Sequence, residues 1–305
     1  MAGTAFAQVD RALWDEIRNL GDRHAEVRER AALELAALGA DARAAVPYLI
    51  AMLRDEQVQV YVAASFALER IGEVALPELS RALREKDTTT RVEVARIVSR
   101  LGPRALDAVP ALVHALESGD PLVREAMAAA LGGVVDDAAN ALEPELAAAV
   151  VAGLVGSLDH RSLDSRETYA CAAAATTLGK LGAHAAPAVP ALVAQLADED
   201  PRVRTAAAWA LGGGYLEPTQ TRWMAPRETR AGIGNASGPT VSALTIALDD
   251  VDPSVRWSAA QALGGLGAAA APAIPRLWAL VRESVASESL ENGVPQFQPA
   301  QVARA

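Results

Sequence analysis

The stretch that decides the fold is residues 46–72, VPYLIAMLRDEQVQVYVAASFALERIG. Pro47 falls in the first turn of its first half, where a missing N–H costs little. The apolar residues of that half have helical spacing: Val46, Leu49, Ile50 and Leu53. Residues 57–71 repeat the spacing, and Gly72 supplies a stop. The stretch therefore predicts two helices, one over 43–54 and one over 57–71.

The same pattern recurs along the chain. Each copy opens its second helix with Val-Arg or a variant of it, at Val27-Arg28, Val60-Tyr61, Thr90-Arg91, Val123-Arg124, Ala170-Cys171, Val203-Arg204 and Val255-Arg256. Neither helix of a copy can bury its apolar stripe alone, so neighbouring pairs must stack on one another. We predict seven helix pairs between about residues 8 and 267, followed by a closing helix over 270–283.

These repeats resemble the HEAT family, in particular the HEAT-like repeats of phycobilin lyases. Four features recur in register over residues 22–283: a proline in the first helix, an acid at the turn, Val-Arg, and small residues in the second helix. The resemblance implies an all-α, right-handed α-solenoid over residues 8–284. We expect residues 285–305, which are polar and contain Pro295 and Pro299, to be a disordered tail.

In the HEAT family the turn acid and the arginine form a ladder along the solenoid. The acid stands six residues before the arginine in four copies: Asp22/Arg28, Glu85/Arg91, Asp198/Arg204 and Asp250/Arg256. Tyr61 and Cys171 replace the arginine in two others. We therefore expect a broken ladder at those two points, with local bending or looser stacking.

Composition narrows the classes of function. The 305-residue chain carries a net charge of −10 and has no basic cluster, which weighs against nucleic-acid binding. Cys171 is the only cysteine, so no intrachain disulfide can form. The sequence contains no run of 18 apolar residues free of charge, so it predicts no membrane span. We expect a cytoplasmic protein; the alternative is export, because Ala5-Phe6-Ala7 resembles the end of a secretory signal.

The largest break in the repeat is an insertion over residues 214–238. A loop of this length in a compact domain is usually functional or disordered. It brings together residue types that are enriched at binding hot spots: Tyr215, Arg222, Trp223, Arg227 and Arg230. A partner-binding loop is one interpretation; a flexible insertion whose Trp223 packs back on the solenoid is the other.

The resemblance implies that the second helices line the concave face. Helical spacing then puts residues two and six positions after the Val of Val-Arg on the open stripe. These positions include one apolar patch at Val62 and Phe66, a second at Trp209 and Trp257, and Arg96 between them in the sequence. Two alternatives stay open: the register is off by one, which buries the tryptophans, or a tight curvature brings these side chains into contact.

The sequence offers no catalytic group. Cys171 lies in an Ala-rich helix, where an inert core thiol is expected. The four histidines are scattered, and none has a second His or a paired carboxylate at metal-ligand spacing. HEAT-like deoxyhypusine hydroxylases hold iron through His-Glu steps, which are absent here because the histidines are followed by Ala25, Ala115, Arg161 and Ala185. We expect neither a metal nor a cofactor.

These observations favour a non-catalytic scaffold that holds a protein or peptide partner on the concave face, around Trp209, Trp257 and the inserted loop. The first alternative is a lyase-like or chaperone-like module that cradles a tetrapyrrole or a similar cofactor, as the resemblance allows. A remote alternative is a DNA-binding protein similar to HEAT-like alkylpurine glycosylases, which present a basic face that this chain lacks. Self-association is left open by the Ala-rich outer helices.

Overall fold

The computed structural model describes residues 2–136, 138–159, 165–212, 233 and 238–288. The chain forms two compact units, Met1–Asn140 and Ala141–Ala305. All regular secondary structure in the described residues is helical, and consecutive helices pack as repeated pairs. The prediction of an all-α repeat fold of the solenoid type is confirmed. The predicted boundaries at residues 8 and 284 stay a prediction. The predicted disordered tail begins too early, because residues 285–288 belong to the closing helix Ile274–Glu288. Residues 289–305 lie outside the described residues.

The first unit contains four helix pairs, each made of a first helix and a second helix. Their bounds, in chain order, are α1 (Ala2–Asn19) with α2 (Ala25–Leu38), α3 (Val46–Met52) with α4 (Val58–Ile71), α5 (Leu76–Ala82) with α6 (Thr88–Leu101), and α7 (Val109–Ala115) with α8 (Pro121–Val135). The second helices stack on each other, α2 on α4 and α6 on α8. Their inward-facing residues are mostly Ala, Val, Leu and Ile with no exposed surface.

The second unit continues the pattern in its described residues. Its helices are α9 (Pro144–Leu158) with α10 (Ser165–Leu181), α11 (Val189–Gln195) with α12 (Pro201–Gly212), α13 (Gly238–Ala247) with α14 (Pro253–Gly265), and the closing helix α15 (Ile274–Glu288). Here α10 packs on α12, and α12 packs on α14. The predicted seven pairs and closing helix are therefore all present.

The junctions between pairs show why the sequence pattern works. Four second helices are followed directly by a glycine with a positive φ, and a fifth such glycine stands two residues after α14. The φ values are 55° to 74°, a backbone conformation that side-chain-bearing residues rarely adopt: Gly39, Gly72, Gly102, Gly182 and Gly267. A short 3-10 segment follows each glycine, and the next first helix then begins, typically with proline as its second residue. The predicted helix 43–54 is thus a 3-10 segment, Gly39–Ala45, followed by α3.

Small residues let neighbouring second helices approach closely. A Cβ at Gly133 of α8 would collide with Ser99 of α6, and a Cβ at Gly212 of α12 would collide with Ala262 of α14. Gly133 and Gly212 therefore serve close packing. By contrast, α4 and α6 approach each other less closely than α2 and α4 or α6 and α8 do.

One stretch of the described residues, Ala25–Met52, matches a membrane span in length and mean hydropathy. It is not one continuous α-helix, because Gly39, with φ of 57°, ends α2 and a 3-10 segment separates α2 from α3. The stretch is the first stacked junction of the repeat fold, with Leu35, Val46 and Leu49 fully buried. No membrane span is indicated.

Candidate functional site

The repeat arginines link successive helix pairs. Arg28 donates from Nη1 to the carbonyl oxygen of Asp22 at 2.9 Å, and from Nε and Nη2 to the two carboxylate oxygens of Asp55, both at 2.8 Å. Asp55 is the turn acid of the next pair. The arginine therefore binds the backbone of its own turn and the carboxylate of the following turn. Hydrogen bonding from Arg28 holds the pKa of Asp55 below its ordinary value.

The same arrangement recurs in the second unit. Arg204 donates to the Asp198 carbonyl at 2.8 Å and to both carboxylate oxygens of Asp250. Arg256, in the next copy, donates to the carbonyls of Asp250 and Val251 at 2.8 and 3.0 Å. The sequence pattern identified the partners but not the connectivity, since the acid six residues before each of these arginines offers it a carbonyl rather than its carboxylate.

The two copies that lack the arginine use other contacts. The hydroxyl of Tyr61 donates to Glu93 of α6 at 2.7 Å, which again joins one pair to the next. Burial and then this hydrogen bond raise the pKa of Tyr61. Cys171 is buried, and its thiol lies 3.5 Å from the carbonyl oxygen of Ser157, within the same pair. The ladder arginine is thus replaced at Tyr61 by a different bond to the next pair, whereas the Cys171 thiol contacts a carbonyl oxygen of its own pair.

Polar side chains fill the wider space between α4 and α6. Besides the Tyr61–Glu93 bond, Arg100 of α6 donates to Ser65 at 2.8 Å and pairs with Glu69 of α4 at 2.5 Å. We refer to this layer, formed by Tyr61, Ser65, Glu69, Glu93 and Arg100, as the polar seam. Stacking is looser at Tyr61, as predicted, and its cause is a layer of long polar side chains in place of small residues. It is not looser at Cys171, since α10 packs on α12 about as closely as α2 packs on α4.

The exposed face of the second helices in the first unit carries apolar side chains. Leu33 of α2 is 46% exposed, and Val62 and Phe66 of α4 are 52% and 48% exposed. Arg96 stands in α6 at the position that Phe66 occupies in α4, and it is also exposed. We name the surface of Leu33, Val62, Phe66, Arg70 and Arg96 the first-unit face. Val62, Phe66 and Arg96 are exposed, as helical spacing predicted for the open stripe.

The two predicted tryptophans of the second unit differ from each other. Trp257 is 38% exposed, but Trp209 is only 6% exposed. Trp209 is buried because its ring packs over Gly179 of α10, where a Cβ would lie 2.7 Å from Cζ3 of the ring. The prediction of an exposed Trp209 was wrong; the residue belongs to the packing between α10 and α12.

A cavity of about 400 Å³ opens beside Trp209. Its lining comes from α10, α12 and the start of α14: Thr176, Pro201, Arg202, Thr205, Ala206, Trp209, Asp252 and Ser254. Arg202 stacks 4.5 Å above the Tyr169 ring and binds Asp200 at 2.7 Å. Tyr169 and Arg202 could not be predicted from the repeat, since their contact joins the N-terminal parts of two helices about thirty residues apart and has no sequence period.

The insertion residues singled out from the sequence, Tyr215, Arg222, Trp223, Arg227 and Arg230, lie outside the described residues. Ile233, the described residue between α12 and α13, is 1% exposed. Among the residues with a described position, no group of three or more His, Cys, Asp or Glu side chains could hold a metal ion. The described faces offer a ligand apolar side chains, hydroxyl groups and guanidinium groups.

Two family models match the chain. Residues 160–222 match a model described as HEAT repeats, and residues 255–277 match one described as PBS lyase HEAT-like repeat. The resemblance inferred from the repeat pattern is confirmed by both matches. No curated protein matches the chain.

Solved structures with similar folds are helical repeat proteins. The Escherichia coli protein YIBA aligns with a TM-score of 0.52 and 17% identity over 81% of this chain and 77% of its own, which supports the fold alone. An engineered protein aligns with a TM-score of 0.48 and 22% identity over 84% of this chain and 68% of its own. A mutant of Kap121p aligns with a TM-score of 0.47 and 15% identity over 88% of this chain and 30% of its own.

Proposed function

Because this chain carries HEAT repeats, we propose that it is a non-catalytic binding protein that holds a protein or peptide partner on the exposed face of its second helices. Stacked helix pairs produce long surfaces whose side chains vary from pair to pair while the core repeats. Such a surface suits an extended partner better than it suits a small reacting molecule.

The observation that carries the proposal is the first-unit face. Leu33, Val62 and Phe66 are each about half exposed, although they stand on two helices that pack directly against each other. Contiguous exposed apolar side chains in a water-exposed face usually mark a partner site. In the second unit, Trp257 is an exposed aromatic residue of the type that dominates binding energy at interfaces.

The experiment compares capture by surface variants of the full chain. Affinity capture from the native host with the wild-type chain identifies the partner by mass spectrometry. We expect Phe66→Ser and Val62→Ser to lose that partner, because each replaces apolar contact area with a hydroxyl group. Both side chains are about half exposed, so the fold should withstand the change.

Tyr48→Ser and Ile246→Ser are the matched controls. Tyr48 of α3 is 47% exposed and Ile246 of α13 is 74% exposed, but both stand on first helices. They should retain the partner. Equal loss with all four variants, or retention with all four, would show that the second helices are not the binding face.

A second candidate function rests on the cavity beside Trp209. The matching repeat model is named for PBS lyases, and a 400 Å³ cavity bordered by an aromatic ring is within the usual size range for small-ligand sites. In that case the second unit cradles a flat apolar cofactor such as a linear tetrapyrrole. Titration with biliverdin should then shift its absorption spectrum, and Thr205→Trp should block the shift by filling the cavity. An unshifted spectrum at saturating protein removes this candidate.

A further inference from the structure

Arg96 of the first-unit face points outward over an acid that lies beneath it. Arg96 pairs with Glu93 at 2.7 Å, yet the Arg96 side chain is 59% exposed and that of Glu93 only 11%. Glu93 is held down by its second bond, from the Tyr61 hydroxyl. The carboxylate is therefore screened from a ligand above the face, and the guanidinium is accessible.

Two further arginines, one on α6 and one on α4, are also exposed. The Arg100 side chain is 49% exposed, against 28% for its partner Glu69. Arg70, at the exposed C-terminal end of α4, has no carboxylate partner among the residues described in the first unit. The acids that share the same stripe on the outer helices, Glu29 and Glu125, are only partly exposed. Outward-facing guanidinium groups of Arg70, Arg96 and Arg100 thus border the apolar side chains, in a chain whose net charge is −10.

We propose that the first-unit face binds an acidic peptide segment of a partner protein, with an apolar side chain seated on Val62 and Phe66 and a carboxylate seated on Arg96 and Arg70. This inference rests on the proposed function and adds the chemistry of the partner. Exposed guanidinium groups beside apolar surface match carboxylates that flank an apolar anchor, and the match is both electrostatic and steric.

The geometry also sets the spacing within the peptide. Packed helices stand roughly 8–10 Å apart, and an extended chain advances about 3.3 Å per residue. A peptide that crosses from α4 to α6 therefore places its acid roughly three positions from its apolar anchor, or about four because the polar seam widens that gap.

Selection from a random dodecapeptide library on the immobilised full chain tests the proposal. The selected peptides should be acidic, with a large apolar residue three or four positions from Asp or Glu. The tightest of them, labelled with a fluorophore, should bind more weakly when ionic strength is raised from about 0.05 to about 0.5 M, because exposed charge contacts are screened. Replacing its acids by the corresponding amides should weaken binding roughly tenfold.

A pair of matched double variants identifies the face. Arg70→Gln with Arg96→Gln should weaken binding of the labelled peptide roughly tenfold. Arg81→Gln with Arg84→Gln is the control, since Arg81 forms the same kind of ion pair, with Glu78 three residues away, and Arg84 is exposed on the other side of the pair. The control should bind within twofold of the wild type.

Several outcomes would overturn the proposal: selection of neutral or basic peptides, equal losses in the two double variants, or displacement of the peptide by oligothymidine at a similar concentration, which would indicate a nucleic-acid surface. If Phe66→Ser loses its partner while the selected peptides carry no acids, the proposed binding face is supported but the proposal of an acidic partner segment is wrong. If no variant loses a partner and no peptide is selected, both proposals fail.

Discussion

Arg204 of α12 and Asp250, 46 residues later, form a two-pronged ion pair in which Nε and Nη2 lie 2.7 and 2.8 Å from the two carboxylate oxygens. Both side chains are nearly buried, at 12% and 11% exposed. This ion pair connects the helix pair of α11 and α12 with the helix pair of α13 and α14, which the insertion separates in the sequence. The stacking of α12 on α14 therefore does not depend on the inserted segment between them.

Asp250→Asn tests the contribution of this pair. The amide cannot accept both bonds, so we expect a loss of about 2 kcal/mol in the free energy of unfolding at neutral pH. Hydrogen bonding from Arg204 lowers the pKa of Asp250 below its ordinary value of 3.8, so the stabilisation is present above that value and is lost as the pH falls through the folded-state pKa. The difference between wild type and variant should therefore shrink below pH 3.8 in urea titrations.

Asp249→Asn is the control for that measurement. Asp249 pairs with Arg276, but its side chain is 52% exposed, so its loss should cost under about 1 kcal/mol. A difference for Asp250→Asn that persists unchanged to strongly acidic pH would contradict the assigned ion pair.

Tyr61→Phe tests the bond that replaces the ladder arginine. Glu93 keeps its ion pair with Arg96 but loses the Tyr61 hydroxyl, so we expect a destabilisation of roughly 1–2 kcal/mol by urea unfolding. Tyr48→Phe removes a hydroxyl from a residue that is 47% exposed and should leave stability unchanged. Equal effects of the two substitutions would mean that the polar seam adds nothing to stability.

Gly179→Ala tests the close approach of α10 and α12. The added Cβ would lie 2.7 Å from the Trp209 ring and 3.0 Å from Cα of Ala210, and the backbone atom cannot easily move. We expect a loss of about 1–3 kcal/mol. Gly156→Ala, in α9, meets no neighbouring atom within 4 Å and should instead stabilise the helix by about 0.5–1 kcal/mol. Thermal unfolding of the two variants should therefore shift in opposite directions.

Trp209→Ala and Trp257→Ala separate packing from surface. Only 6% of Trp209 is exposed, so its replacement by Ala should cost about 3–5 kcal/mol in stability. Trp257 is 38% exposed, so its replacement by Ala should cost much less stability. If calorimetry shows equal losses, the assignment of Trp209 to the packing between α10 and α12 is mistaken.

The repeat pattern predicted the helices well because the features that end and begin them are local. α4 ends at Ile71, as predicted, with Gly72 as its stop, and it begins at Val58 against the predicted 57. Pro47 lies near the start of α3, as expected. The 3-10 segment before α3 escaped prediction, because its residues Gly39–Ala45 are mostly Ala and have no contrasting period.

The exposure of the site residues was harder to predict, because it depends on the neighbouring pair. Val62 and Trp209 both stand on the stripe that helical spacing marks as open. Val62 is exposed, whereas Trp209 folds down over Gly179, a residue on another helix that the spacing of α12 cannot reveal. The direction of the arginine bonds was missed for the same reason, since Asp55 lies 27 residues after Arg28.

The polar seam gives the first unit an uneven bending stiffness. Where Gly133 meets the backbone of Ser99, there is no room for one helix to slide or tilt on the other. Between α4 and α6, the contact passes through the long side chains of Tyr61, Glu93 and Arg100, whose rotatable bonds can follow a small change of angle without breaking a hydrogen bond. A load applied along the repeats should therefore flex the unit between its second and third pairs, next to Phe66 and Arg96.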